Sequence, residues 1–169
     1  ADGPYSVVAN LPYSIAAAAL RHFLDDPRRP TALTVMVQRE VAERIVASPP
    51  GMSILSVATQ ALAEPSVAFT VSPGSFVPPP KIDSTVLTVR PLGEAHLSID
   101  RRAGFFRLVN AGFRHKRKQL LNSLAFELDL EKDEIASRLI DAGIDPMRRA
   151  QTLSVVDWLA IDRVWGAND

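Results

Sequence analysis

Cysteine is absent from the 169 residues, which excludes a disulfide framework, a thiolate nucleophile and any Cys-based metal centre. Histidine is scarce: His22, His96 and His115 are scattered too widely for metal-ligand spacing, and no metal is expected. Long apolar runs are missing as well. The run from Ile15 to Leu20 is too short to span a bilayer or to serve as a signal-peptide core, so no membrane partner is expected and a reducing cytoplasm is the default compartment. Neither charge sign is in excess, with 19 Lys plus Arg against 19 Asp plus Glu, and only the placement of charge can speak of partners. Glycine is sparse and dispersed. Its eight positions (3, 51, 74, 93, 104, 112, 143 and 166) include no pair separated by a single residue, so no glycine-rich phosphate-binding turn is present.

What the chain does have is enough apolar residue, 47%, for one full core or one core plus a small satellite. The most informative stretch is Ser6-Val7-Val8-Ala9-Asn10-Leu11-Pro12-Tyr13. Val7 to Ala9 read as a short buried strand between Gly3-Pro4 and Pro12. In an open α/β sheet the ligand crevice lies beyond the carboxyl ends of the strands, where Asn10 to Tyr13 would sit. Pro12 stiffens that turn and pushes Leu11 into an extended conformation, leaving carbonyls to face a ligand. An amide oxygen, two backbone carbonyls and a tyrosine ring can hold an exocyclic amine and stack on its heterocycle, as when a flipped adenine is read. The same four residues also serve as an ordinary strand-to-helix turn.

Ser14 is placed to cap a helix over residues 15–24, and residues 31–37 read as a second strand, rich in β-branched side chains. A helix over 38–47 follows, closed by Pro49-Pro50-Gly51, so that strand, helix, strand, helix implies a parallel crossover. A helix from Ser53 to near Pro65 and strands over 67–71 and 84–89 complete the first part. Between those strands, residues 72–83 are too long for a tight hairpin and too proline-rich for a strand. Pro78-Pro79-Pro80 favours a pre-ordered backbone that could present Phe76 at a fixed place, or simply let it pack on the core.

After Pro91-Leu92-Gly93 no convincing strand remains. Helices are expected from Asp100 as cap through residue 111, over 114–126, over 132–142 and over 155–165, with Gly143 and Pro146 as punctuation. From Arg101 to Phe126 there are seven Lys or Arg and no Asp or Glu. Such a block can neutralise phosphates or form a solvated helix face, and the missing acids favour nucleic acid.

Four motifs in order, Asn10-Leu11-Pro12-Tyr13, Gln38-Arg39-Glu40-Val41, Phe76-Val77-Pro78-Pro79-Pro80-Lys81-Ile82-Asp83-Ser84 and Arg117-Lys118-Gln119-Leu120-Leu121-Asn122-Ser123-Leu124, resemble the bacterial small-subunit ribosomal RNA dimethyladenosine transferases. The resemblance covers nearly the whole chain. It implies the C-terminal part of a Rossmann-like class I methyltransferase sheet over residues 1–92, followed by a small all-helical RNA-binding domain over 93–169. It implies S-adenosylmethionine-dependent N6,N6-dimethylation of adenines in small-subunit ribosomal RNA. Asn10, Leu11, Pro12, Tyr13 and Phe76 would form the catalytic pocket: Asn10 and the Pro12 carbonyl accept from the adenine N6 amine, and Tyr13 and Phe76 stack on its two faces. Asn10 would also touch the cofactor, while Arg114, Lys116, Arg117 and Lys118 would contact phosphates. The missing glycine-rich loop implies a fragment without most of the cofactor site, inactive alone, whose Val7 to Ala9 edge is exposed and open to self-association; the full-length protein would be a monomer. Alternatives are a resistance-type methyltransferase acting on large-subunit ribosomal RNA, an organellar relative serving in transcription, and an RNA-binding module without catalysis.

Overall fold

The computed structural model describes residues 3–12, 15–93 and 96–166. The chain divides into two units, Ala1–Val46 with Ala58–His96 and Ala47–Val57 with Leu97–Asp169. The division expected after residue 92 therefore omits the excursion Ala47–Val57, which belongs to the second unit.

The first unit holds β1 (Ser6–Asn10), α1 (Ala16–Asp25), β2 (Ala32–Gln38), α2 (Arg39–Ile45), β3 (Ala63–Val71) and β4 (Ser84–Pro91). The sheet is mixed, in the order β1-β2-β4-β3, with β1 parallel to β2 and both remaining pairs antiparallel. β2 alternates strictly, with Leu33, Val35 and Val37 buried, and meets Leu87 and Val89 of β4 in the core. α1 buries one face through Ala16, Leu20 and Leu24, spaced four apart, and α2, packed against β2 and β4, buries Ala42 and Ile45. Ser14 lies outside the described residues; Ile15 is the N-cap of α1 and makes no side-chain capping bond.

Two expectations in this unit need correction. β1 is not the buried strand that its apolar centre suggests but the exposed edge that the resemblance implies: it lies at an edge of the sheet, its residues alternate between exposed and half-buried, and Val8 is 83% exposed. The helix expected to run to Pro65 instead ends at Gln60 as α3 (Ile54–Gln60), and β3 takes in Pro65. Proline is tolerated there because β3 is the other edge strand, where a missing N–H costs no interior ladder bond.

The second unit is helical: α4 (Ile99–Phe113), α5 (Leu120–Leu128), α6 (Lys132–Asp141) and α7 (Val155–Gly166). Ser98, not Asp100, is the N-cap of α4. A reciprocal pair opens α7, Ser154 N–H to Asp157 Oδ2 at 2.9 Å and Asp157 N–H to Ser154 Oγ at 3.1 Å. Gly143 ends α6 at φ 75°, a conformation that disfavours any side chain with a Cβ. The single helix expected over residues 114–126 is broken. Residues 114–119 form a turn, with Lys118 N–H bonded to His115 O at 2.9 Å, and Leu120 N–H is anchored on Arg148 O at 2.7 Å. A helix would have stacked Arg114 over Arg117 and Lys118, at spacings where like charges repel.

The helical core is aromatic. Phe113 of α4 stacks on Trp158 of α7 with centroids 5.7 Å apart and planes at 28°. Gly112 permits that approach, since a Cβ there would lie 2.4 Å from the tip of the Trp158 ring. Asp162, also on α7, is buried and pairs with Arg101; burial pushes its pKa above the ordinary aspartate value, and Arg101 and Arg163 only partly oppose this.

Gly112→Ala should cost about 1–3 kcal/mol by overpacking, although Gly to Ala inside a helix is otherwise favourable. Urea denaturation checks this, and adding Trp158→Phe should recover part of the loss. Because the raised pKa of Asp162 means that the folded state holds its proton more tightly, its contribution to stability falls as pH rises from the usual aspartate range through the raised value. Unfolding free energies measured across that range should shift progressively in favour of Asp162→Asn relative to the parent chain.

Candidate functional site

Three strand ends determine the first site. Parallel pairing sets Asn10, the last residue of β1, opposite Met36 of β2. Antiparallel pairing sets Gln38, the last residue of β2, opposite Ser84, the first of β4. The ladder extends one residue past β1 through Leu11 N–H to Met36 O at 3.1 Å. The carboxyl ends of two strands and the entry to a third thus lie at the same edge of the sheet, with the proline-rich loop arriving there.

That loop is tied at its exit. Arg39, opening α2, donates through its backbone N–H to Asp83 O at 3.1 Å and through its guanidinium to Asp83 Oδ2 at 2.9 Å. Two of the sequence motifs are therefore physically joined. The other end of the loop winds through a short 3₁₀ turn, Pro73–Ser75, directly before Phe76.

A cleft of about 290 Å³ results, lined by Asn10, Leu11, Pro12, Phe76, Pro78, Pro80, Met36 and Ser84. Four of the five expected pocket residues, Asn10, Leu11, Pro12 and Phe76, come together there, and the fifth, Tyr13, lies outside the described residues. Met36, Pro78, Pro80 and Ser84 are not among the expected site residues. Only the strand register and the loop path put them there. The side-chain amide of Asn10 has no hydrogen-bond partner among the described residues. The Pro12 carbonyl is less free than expected, because it accepts the Ile15 N–H at 3.0 Å and so keeps one lone pair for another donor. Leu11 is 7% exposed, so its side chain supports the turn from the core side. No lining residue carries a charge. The cleft is at the small end of ligand pockets, and it suits a flat, neutral, polar-edged group of single-base size rather than a phosphate.

The expected phosphate-contacting residues all lie on the turn between α4 and α5, not on a helix. Arg114, Lys116, Arg117 and Lys118 are exposed, but the block is not free of acids in space. Glu127 of α5 sits 3.9 Å from Arg114 and 3.1 Å from His115. Arg101 is engaged by Asp162. Lys116 and Arg117 make no ion pair among the described residues, and Lys118 stands 5.6 Å from the centroid of the Phe126 ring. Two further cations, Lys132 and Arg149, join Arg117 and Lys118 around one open depression, although both lie far along the chain. Among the described residues no cluster of His, Asp or Glu could hold a metal, and no helix is long and apolar enough to cross a membrane.

Comparison with known proteins agrees with this architecture. The family model described as ribosomal RNA adenine dimethylase matches residues 1–161. A ribosomal RNA small subunit methyltransferase A of Dehalococcoides mccartyi (strain CBDB1) is 43% identical over 157 residues, covering 93% of this chain and 54% of that protein. One of Anaeromyxobacter dehalogenans is 41% identical, covering 95% and 57%. The chain thus spans about half the length of the curated relatives it matches. Among solved structures, a dimethyladenosine transferase from Plasmodium falciparum superposes with a TM-score of 0.76 at 22% identity over 93% of this chain and 65% of that one. The 23S rRNA methyltransferase ErmE does so with 0.74 at 22% over 97% and 66%, which extends the likeness in fold. The mixed sheet with its helices is accordingly a fold shared with those two solved structures, and the chain belongs to the ribosomal RNA adenine dimethylase family.

Proposed function

We propose that the protein carrying this chain dimethylates adenines at N6 in small-subunit ribosomal RNA, with the neutral cleft at Asn10 and Phe76 receiving the target base. The observation that carries the reading is the convergence of an unpartnered amide, a prolyl carbonyl with a spare lone pair and an aromatic ring on one base-sized, uncharged space. Its relatives named ribosomal RNA small subunit methyltransferase A support the choice of RNA.

The adenine N6 is a poor nucleophile because its lone pair is delocalised into the ring. Asn10 Oδ1 and the Pro12 carbonyl accept the two N6 hydrogens, which favours a pyramidal nitrogen whose lone pair points out of the ring plane. Phe76 stacks on the base and fixes its orientation, so the gain comes from positioning and from acceptors already in place. No general base is needed before attack, since the N6 proton can leave to solvent afterwards. Tyr13 is proposed to cover the opposite face.

S-adenosylmethionine, when bound, supplies an electrophilic methyl group. The lining residues fit the acceptor base and not this donor: they include no carboxylate for ribose hydroxyls and no glycine-rich turn, and Asn10 alone is proposed to face both. The basic turn at Arg114, Lys116, Arg117 and Lys118 is proposed to hold the RNA backbone, each phosphate contact releasing counterions.

Asn10→Ala in the protein carrying this chain should lower kcat by about 10²–10³-fold, the scale for removing one preorganised hydrogen-bonding group. Phe76→Leu should weaken base capture by about 1–3 kcal/mol. Mass spectrometry of nucleosides from small-subunit RNA after incubation with S-adenosylmethionine reads both, and undiminished dimethyladenosine in Asn10→Ala would remove the pocket assignment. Methyl groups found only on large-subunit RNA would favour the resistance-type alternative instead. Replacing Lys116, Arg117 and Lys118 together by Ala should weaken RNA binding and flatten its dependence on log salt concentration by about two to three units of slope. An unchanged slope in filter-binding titrations would exclude the turn from the interface.

A further inference from the structure

The helical unit leaves one large aromatic side chain in water. Phe126 is 70% exposed although its helix buries Leu120, Leu124 and Ala125, so its ring faces away from the core of that unit. Exposing a ring of this size forgoes the free energy of its burial, and its surroundings are not those of an incidental surface residue. Lys118 Nζ stands 5.6 Å from the ring centroid, and the His115 ring meets it edge-on with centroids 5.4 Å apart. Phe126 also lines the open depression that holds Arg117, Gln119, Asn122 and Arg149 as well as the carboxylates Asp129 and Glu131.

Within that depression Asn122 Nδ2 donates to Gln119 Oε1 at 3.2 Å. This fixes both amide planes and leaves the Asn122 oxygen and the Gln119 amino group without a partner among the described residues. A flat ring, one acceptor beside one donor, and several unpaired cations are the elements that bind an unstacked nucleotide: π-face, base edge and phosphate. An acidic peptide would engage the cations but would leave the ring and the oriented amide pair unused.

We propose that Phe126 is a stacking platform for one unpaired base of RNA, with Gln119 and Asn122 meeting the base edge and Arg117 and Arg149 the flanking phosphates. The inference rests on the reading of the helical unit as RNA-binding, and it adds a subsite for an unstacked base distinct from the cleft at Asn10. Lys118 then has two states, over the ring when RNA is absent and on phosphate when a base takes its place. Recognition of the helical unit is therefore expected to prefer single-stranded or looped RNA to continuous duplex.

The test uses the whole chain with a short single-stranded RNA carrying 2-aminopurine, the same RNA annealed to its complement, and the parent and variant proteins. The parent chain should quench 2-aminopurine on binding and prefer the single strand. Phe126→Leu should lose about ten- to hundred-fold in single-strand affinity together with the quenching, and Phe126→Tyr should retain both. The salt slope should be the same for parent and Phe126→Leu, because stacking releases no counterions, and equal melting temperatures would verify folding. Salt-dependent binding of equal strength and equal quenching in the parent chain and Phe126→Leu would overturn this inference alone. Failure of the parent chain to bind RNA would overturn both this subsite and the RNA-binding reading, and tighter binding of an acidic peptide than of RNA would replace them.

Discussion

The antiparallel pairing of β2 with β4 is the constraint on which the candidate pocket depends. It brings Ser84 opposite Gln38, next to the end of β1, and the adjoining Arg39–Asp83 pair holds the proline-rich loop where Phe76 can reach the residues at Asn10. A slip of one residue would turn every side chain of β4 to the other face and bury Arg90 in exchange for Val89. The alternating apolar pattern of β2 against Leu87 and Val89 forbids that slip, so core packing and site geometry are set by the same register.

The two units handle charge in opposite ways. In the first, the cleft lining is entirely neutral, which suits a base withdrawn from water and gives hydrogen-bond acceptors more leverage than they would have beside mobile ions. In the second, cations are concentrated on a turn where a helix would have set like charges against one another, and Glu127 of α5 holds part of them, while Asp162 of α7 pairs with Arg101 of α4. Glu127 restrains Arg114 and His115, whereas Lys116 and Arg117 stay available.

Much of the architecture was legible because it follows from local periodicity. β2, α1, α2, α6 and α7 declare themselves through apolar spacing and their bounding Pro or Gly residues. Three elements misled for identifiable reasons. β1 has a fully apolar centre, Val7-Val8-Ala9, which by itself reads as buried, yet it is an edge strand, as only the family resemblance implied, because no local pattern tells how many neighbours a strand will have. Pro65 reads as a terminator but sits within β3, which an edge position allows. The basic stretch after α4 has helical residues and turns instead, because Leu120 is held by Arg148 from a distant part of the chain.

By itself the sequence determined the α/β character of the first part and the helical character of the second, since each rests on residue type and short-range spacing, and its four ordered motifs carried the resemblance to the family. Only the tertiary structure decided that Met36, Pro78 and Ser84 share their cleft, that Ala47–Val57 belongs to the helical unit, and that Phe126 stands in solvent between Lys118 and His115. The reason is physical: strand register, chain return and the pairing of charges far apart in sequence are settled by which surfaces exclude water together, and that information is spread over the whole chain rather than carried by any one segment.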